Sequence, residues 1–210
     1  AANGEYVLSN ISGSDNAGNN FNYYKGDSNW EQFLSNSNVI QPSFSINNSQ
    51  ADTSAPNITG LNLNATTFDP SQPGGAYLTT NVSFTDDASG FNNLSLRFQS
   101  VDTDQEIYVD LSDYDTINGT LLEGSVAASQ RIDPFAANGE YVLSNISGSD
   151  NAGNNFNYYK GDSDWEQFLS TSNIQQTSFS INNSQADTSA PIITGLNLNE
   201  TTFDPSQAGG

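Results

Sequence analysis

The chain is expected to fold as an all-β protein, a β-sandwich repeated in tandem, and three observations lead there. Apolar residues alternate with period two along most of the chain and seldom recur at the helical spacing. The alternating runs are separated by DDASG, TING, AANG and DNAGN, sequences whose glycine, asparagine and aspartate residues favour tight turns. Finally, residues 1–75 return at 136–210, with 67 of 75 positions identical at a fixed offset of 135. A repeat this long exceeds the periods of helical solenoids, leucine-rich arrays and propeller blades, so each unit can hold a core of its own.

In chain order, the linker-like sequence SQADTSAP at 49–56 leads into the alternating run 58–63. Alternation returns at 78–84 in the sequence YLTTNVSF, at 94–98 in LSLRF and at 107–111 in IYVDL. It returns again at 139–146 in GEYVLSNI and at 177–181 in TSFSI, for about seven or eight strands per repeat. Two sheets of such strands bury alternate side chains between them and turn the others to water. One segment reads differently. At 164–169, DWEQFL puts Trp165, Phe168 and Leu169 on one helical face, with Asp162 or Ser163 available as the cap, and predicts a turn or two of helix.

SQADTSAP occurs again at 184–191, which divides the chain into the end of one repeat at 1–50, a complete repeat at 52–185 and the opening strands of another at 187–210. A 24-residue opening or a 50-residue tail buries little surface alone. Either neighbouring repeats of the same chain, or copies of it in a filament, complete such pieces, or the repeat boundaries fall elsewhere.

Composition narrows the chemistry. There are 24 acidic residues against 4 basic ones and no histidine, for a formal charge of −20. A polyanion of this kind repels nucleic acid and anionic membranes and attracts divalent cations. With no histidine or cysteine, neither a serine-type nor a thiol-type triad can be built, and no glycine-rich strand-to-helix loop is present to cradle phosphate. Paired carboxylates can hydrolyse glycosides, but the acids here fall in turns that the sandwich already explains, so a non-enzyme is expected. No cysteine means no disulfide, and the longest apolar stretches, a few residues each, give no membrane span in this segment.

The order DTSAP, ITGLNL, VSFTDDASGFNNLSLRF, GTLLEGSVAASQRIDPFAANGEYVLSNISGSDNAGN, YYKGDSDWEQFL and TSFSI resembles bacterial immunoglobulin-like tandem repeats of large secreted or cell-surface proteins. The resemblance covers essentially the whole 135-residue unit. It implies an immunoglobulin-like sandwich, an extracellular location, a role as an extender or spacer, often in adhesins, and calcium at loops and junctions. The unit is longer than a minimal domain of that kind, with the added residues at 100–122 and 158–176.

The residues themselves support hard-cation binding. Calcium takes six to eight oxygen ligands from carboxylates, amides and main-chain carbonyls, and the chain is rich in these. Asp86 and Asp87 stand together in TDDASG, where their mutual repulsion calls for a cation or for hydrogen bonds. Asp150 and its copy Asp15 lie in the turn GSDNAGN; one ion between the 86–90 and 150 loops, or a simple Asx-turn, explains that position. Asp102 and Asp104 in VDTDQE have the alternate spacing of oxygen-rich loops, without the glycine or closing glutamate of an EF-hand. Asp110, Asp113 and Asp115 form a further acidic cluster. Asp52 and Asp187 precede the first strand at each junction, where a shared ion would stiffen the array and a free carboxylate would merely solubilise a linker. Tyr158, Tyr159 and Trp165, with copies Tyr23, Tyr24 and Trp30, form either a platform for a surface glycan, as in a carbohydrate-binding module, or part of the core. The readings of the whole are therefore a calcium-stiffened adhesin extender, a segment of an extracellular filament or surface layer, and a carbohydrate-binding module.

Overall fold

The computed structural model describes residues 3–198. Its first part contains strands β1 (Gly4–Val7), β2 (Asn10–Ser14) and β3 (Asn20–Tyr24), helix α1 (Trp30–Asn36) and strand β4 (Ser43–Ile46). Then come β5 (Asn57–Leu63), β6 (Thr67–Phe68), β7 (Tyr77–Thr85), β8 (Phe91–Ser100), β9 (Glu106–Ser112), β10 (Thr116–Gly119) and β11 (Glu123–Arg131). The last part holds β12 (Gly139–Asp150), β13 (Asn155–Tyr159), α2 (Trp165–Thr171) and β14 (Ser178–Ile181). The expected opening strands at 187–210 are not formed over 192–198, and residues 199–210 lie outside the described ones.

The ten strands β5 to β14 build a two-sheet, sandwich-like body. One sheet runs β10-β11-β7-β5; the other runs β6-β14-β12-β8-β9, with β13 paired to β12 beyond the part that β14 occupies. All pairs are antiparallel except β14 with β6. The alternation read from the sequence is what fills the space between the sheets. In β7, Leu78, Val82 and Phe84 point inward, and in β8 Leu94, Leu96 and Phe98 do the same. Phe179 of β14 lies at the centre, stacked on Tyr141 and edge-on to Phe98 and Phe68, the geometries aromatic quadrupoles prefer.

Three local departures from the sequence reading have physical causes. TING is not a turn but strand β10, paired with β11; the reversal comes one step later, where the Thr120 hydroxyl accepts from the amides of Leu122 and Glu123. β5 slips register between Ile58 and Gly60, which puts Ile58 and Leu61 in the core instead of strict alternates. β12 bulges at Ser144, whose hydroxyl accepts from Arg97 Nε at 3.0 Å and donates to Arg97 O at 3.1 Å, absorbing the extra residue.

Helix α2 forms where DWEQFL predicted it. Asp164 takes the cap position without a side-chain cap bond, and Trp165 and Phe168 are buried while Leu169 packs at the core margin. Tyr158 stacks on Phe168 with ring centres 4.2 Å apart. Trp165 and Trp30 are both buried, so any stacking platform on this face would have to do without them.

The pairings define two opposite ends. Thr85 lies opposite both Asn57 and Glu123, and Phe91 lies opposite Asp150, at what we term the leading end. Tyr77 opposite Arg131, Ser100 opposite Tyr141 and Gly139 opposite Ile181 mark the trailing end. Residues 3–48 repeat the local structure of 138–183 without the other strands. β1 pairs with β4 as β12 pairs with β14, Gly4 opposite Ile46, and β2 pairs with β3 in the register of β12 with β13, Asn10 opposite Tyr24.

Candidate metal centre

The leading end gathers acids from two separate places in the sequence. The chain crosses from β7 in one sheet to β8 in the other through residues 86–90, and the segment before β5 lies against this crossing. Gly90 closes it: its φ is +86°, and a Cβ there would sit 2.8 Å from Cβ of Leu121, so a side chain is excluded by both conformation and space. The tight crossing aims two amides at the Asp86 carboxylate, with Gly90 N donating to Oδ1 at 2.6 Å and Ala88 N at 3.1 Å. Asp86 Oδ2 is buried and has no hydrogen-bond partner among the described residues.

Asp52 is brought to the same place from outside the sandwich. It is buried, its Oδ1 accepting from Ser54 N at 3.0 Å and its Oδ2 from Ser89 N at 2.8 Å. The Ser89 hydroxyl first, then the Ser54 amide, hold its carboxyl below the usual carboxylate range against the opposing effect of burial. Carboxylate oxygens of Asp52, Asp86 and Asp87 all lie within 4.8 Å of one another. Among the described residues, these are the acids that converge in this way.

Three anionic oxygens at that spacing repel each other through a partly dry environment, and the Asp86 carboxylate also keeps an oxygen without a donor among the described residues. A hard divalent cation fits this donor set: it would satisfy Asp86 Oδ2 and neutralise the repulsion, drawing its remaining ligands from water or carbonyls. Soft-metal ligands are absent, since the chain has no cysteine or histidine.

The other candidate residues sit in different surroundings. Asp150 is at the leading end as well, yet its carboxylate is taken up by Asn154, whose amide N donates to Oδ1 at 2.8 Å and whose Nδ2 donates to Oδ2 at 2.7 Å. Asn154 Nδ2 also reaches Asp52 Oδ1 at 3.3 Å, so Asp150 stands one link behind the triad. The 150 loop is tied to the crossing by Asn151 Nδ2, within 3.2 Å of both Ser89 O and Gly90 O, and by Ala152 N donating to Ser89 Oγ at 3.1 Å. Asp15 makes the same local bonds to Asn19 in the copy, and these keep its carboxyl low, the Asn19 side chain contributing most.

Asp102, Asp104 and Asp187 lie at the trailing end, away from the triad. The Asp102 amide donates to Ser100 Oγ at 3.3 Å, and Asp104 shares a cleft with Gln105, Asp187 and Ser189. Asp110 accepts from Ser95 Oγ at 2.6 Å, and Asp115 Oδ2 accepts from both the amide and the hydroxyl of Ser112. Asp113 keeps one buried oxygen unpartnered among the described residues, but it belongs to no group of three converging acids among them.

Ser89 and Asn154 are the participants that reading the sequence for acids passes over. Asn154 was open to discovery, since DNAGN pairs Asp150 with an amide four residues on, the spacing of a closed Asx loop. Among the described residues, no helix is long and apolar enough to cross a membrane. No protein-family model matches the chain, and no curated protein matches it.

Proposed function

We propose that the chain is a non-catalytic extender of a large, repetitive extracellular adhesin, built from immunoglobulin-like sandwiches in tandem and stiffened by calcium at the triad of Asp52, Asp86 and Asp87. The observation that carries this reading is the meeting of a linker carboxylate, Asp52, with the crossing-loop pair, together with a buried oxygen of Asp86 that has no donor among the described residues. An ion held there would fasten the linker to the sandwich, and a fastened linker transmits length where a free one bends. The recurrence of 67 residues in 75 supports a role in which repetition itself is useful.

The test is a calcium titration of the chain, followed by heat capacity and by terbium luminescence, which reports displacement of water from an oxygen site. Asp87→Ala is expected to weaken binding and, at matched ionic strength, to remove the rise in melting temperature that calcium gives beyond sodium chloride. An identical titration in the variant would end the assignment of this triad.

A filament or surface-layer segment is the second reading. It is favoured by the exposed Phe44 on the 3–48 segment, whose counterpart Phe179 is buried in the complete sandwich.

A further inference from the structure

Asp52 and Asp187 are the same residue of the recurring sequence, in SQADTSAP at 49–56 and at 184–191, and the structure shows them in complementary settings. Asp52 displays a side-chain grip at a leading end: only 7 % exposed, it is held by Ser54, Ser89 and Asn154. Asp187 displays a main-chain grip at a trailing end. Its amide donates to Phe135 O at 2.9 Å, and its carbonyl accepts from Gln105 Nε2 at 3.3 Å.

Gln105 is itself fixed. Its Oε1 accepts from Ala137 N at 2.7 Å and from the hydroxyl of the buried Tyr141 at 3.1 Å, which leaves Nε2 directed at the departing chain. Four residues before Asp187, the buried Asn183 donates through Nδ2 to Pro134 O and Ala136 O and accepts from Gln185 N at 2.9 Å. The chain is thus stitched to the sandwich up to Asp187. The Asp187 side chain is exposed but already folded into the turn that Asp52 makes, with Ser189 N on Oδ1 at 2.8 Å, as Ser54 N lies on Asp52 Oδ1.

We propose that this aspartate is a two-sided joint, its backbone clamped by the trailing end of one repeat and its carboxylate by the leading end of the next, with Gln105 as the positioning residue of the trailing side. No free linker then separates consecutive repeats: the last residue stitched to one sandwich is the first residue held by the other. The partner surface is the leading end of a following repeat, with its Ser54, Ser89 and Asn154 equivalents. The inference rests on the tandem reading above, but not on the metal, because the bonds that hold Asp52 come from protein donors present without one.

The test uses the full chain extended after Gly210 by a further copy of residues 76–185, so that two complete repeats meet at Asp187. With no native cysteine, single cysteines replacing the exposed Tyr114 and its counterpart carry a defined pair of spin labels. In chelator, the parent is expected to give a narrow distance distribution that broadens in Asp187→Ala and in Gln105→Glu. The second substitution keeps the acceptor for Ala137 and Tyr141 and removes the donor to Asp187. A broad distribution in the parent, or one that neither substitution changes, overturns the joint. Narrowing that calcium alone produces also overturns it and leaves the metal reading standing, whereas a narrow distribution in a chain that takes up no calcium does the reverse. In the 210-residue chain the Asp187 amide should exchange about tenfold faster in Gln105→Glu while the Phe98 amide stays protected. Unchanged exchange at Asp187 would again overturn the proposal.

Discussion

At Asp52 the bonds that position the carboxylate also make the fold sensitive to acid. Donors from Ser89 and Ser54 favour its charged form, so its folded pKa lies below the unfolded one. The stability this contributes is complete above the unfolded value, near about 4, and is lost as pH falls through the depressed folded value. Asp69, held by Ser71 first and then Gln72, acts in the same direction. The expected outcome is a melting temperature that falls as pH drops below about 4. Asp52→Asn, which removes the charge and leaves an acceptor, should make that fall shallower. An equal slope in parent and variant would mean that Asp52 is not a determinant. The sequence made the acids of this site legible one at a time, through turn composition. Their convergence was not, because Asp52 reaches Asp86 only through the packing of a linker against a crossing loop, and two of the donors that hold it are backbone amides, which every residue but proline carries.

Elements with strong local signals were the most readable. Strands β7 and β8 alternate cleanly because each buries one face and is flanked by strands on both sides. β10 and β11 were obscure: among residues 123–131 only Val126 is buried, so periodicity has almost nothing to report. The duplicated segment separates what is local from what is not. The hairpin registers and the helix recur in 3–48 without the rest of the sandwich, whereas burial does not: Phe179 is 2 % exposed and its twin Phe44, in the same SFSI strand, is 58 % exposed. Phe179→Ala is therefore expected to destabilise the protein by about 3–5 kcal/mol, from lost transfer energy and a cavity among Tyr141, Phe98 and Phe68. Phe44→Ala should change stability by less than about 0.5 kcal/mol. Urea unfolding of the two variants checks this, and equal losses would mean that the 3–48 segment shares the cooperative core.

For the molecule as a whole, net charge governs how every site responds to ions. At −20, with Arg97 and Glu106 forming the one salt bridge found among the described residues, 3.5 Å apart, the folded chain repels itself. Any salt relieves that repulsion by screening, with a Debye length of about 10 Å at 0.1 M, so a stabilising effect of calcium alone would not demonstrate a site. The distinction lies in what a substitution removes. Sodium chloride should raise the melting temperature gradually in every variant, and calcium at matched ionic strength should raise it further, saturating, in the parent only. Asp86→Asn is the decisive case because it keeps an acceptor for Gly90 N and Ala88 N while removing one of the three converging charges. Without calcium it should be as stable as the parent or more so, since it relieves repulsion within the triad. With calcium it should respond only as it does to sodium chloride. Magnesium, which holds its waters in a tighter octahedral shell, should stabilise the parent less than calcium does. If Asp86→Asn keeps the full saturating response, the triad is part of the diffuse anionic surface, and the stiffness proposed for the array would have to come from the proposed hydrogen-bonded junction alone.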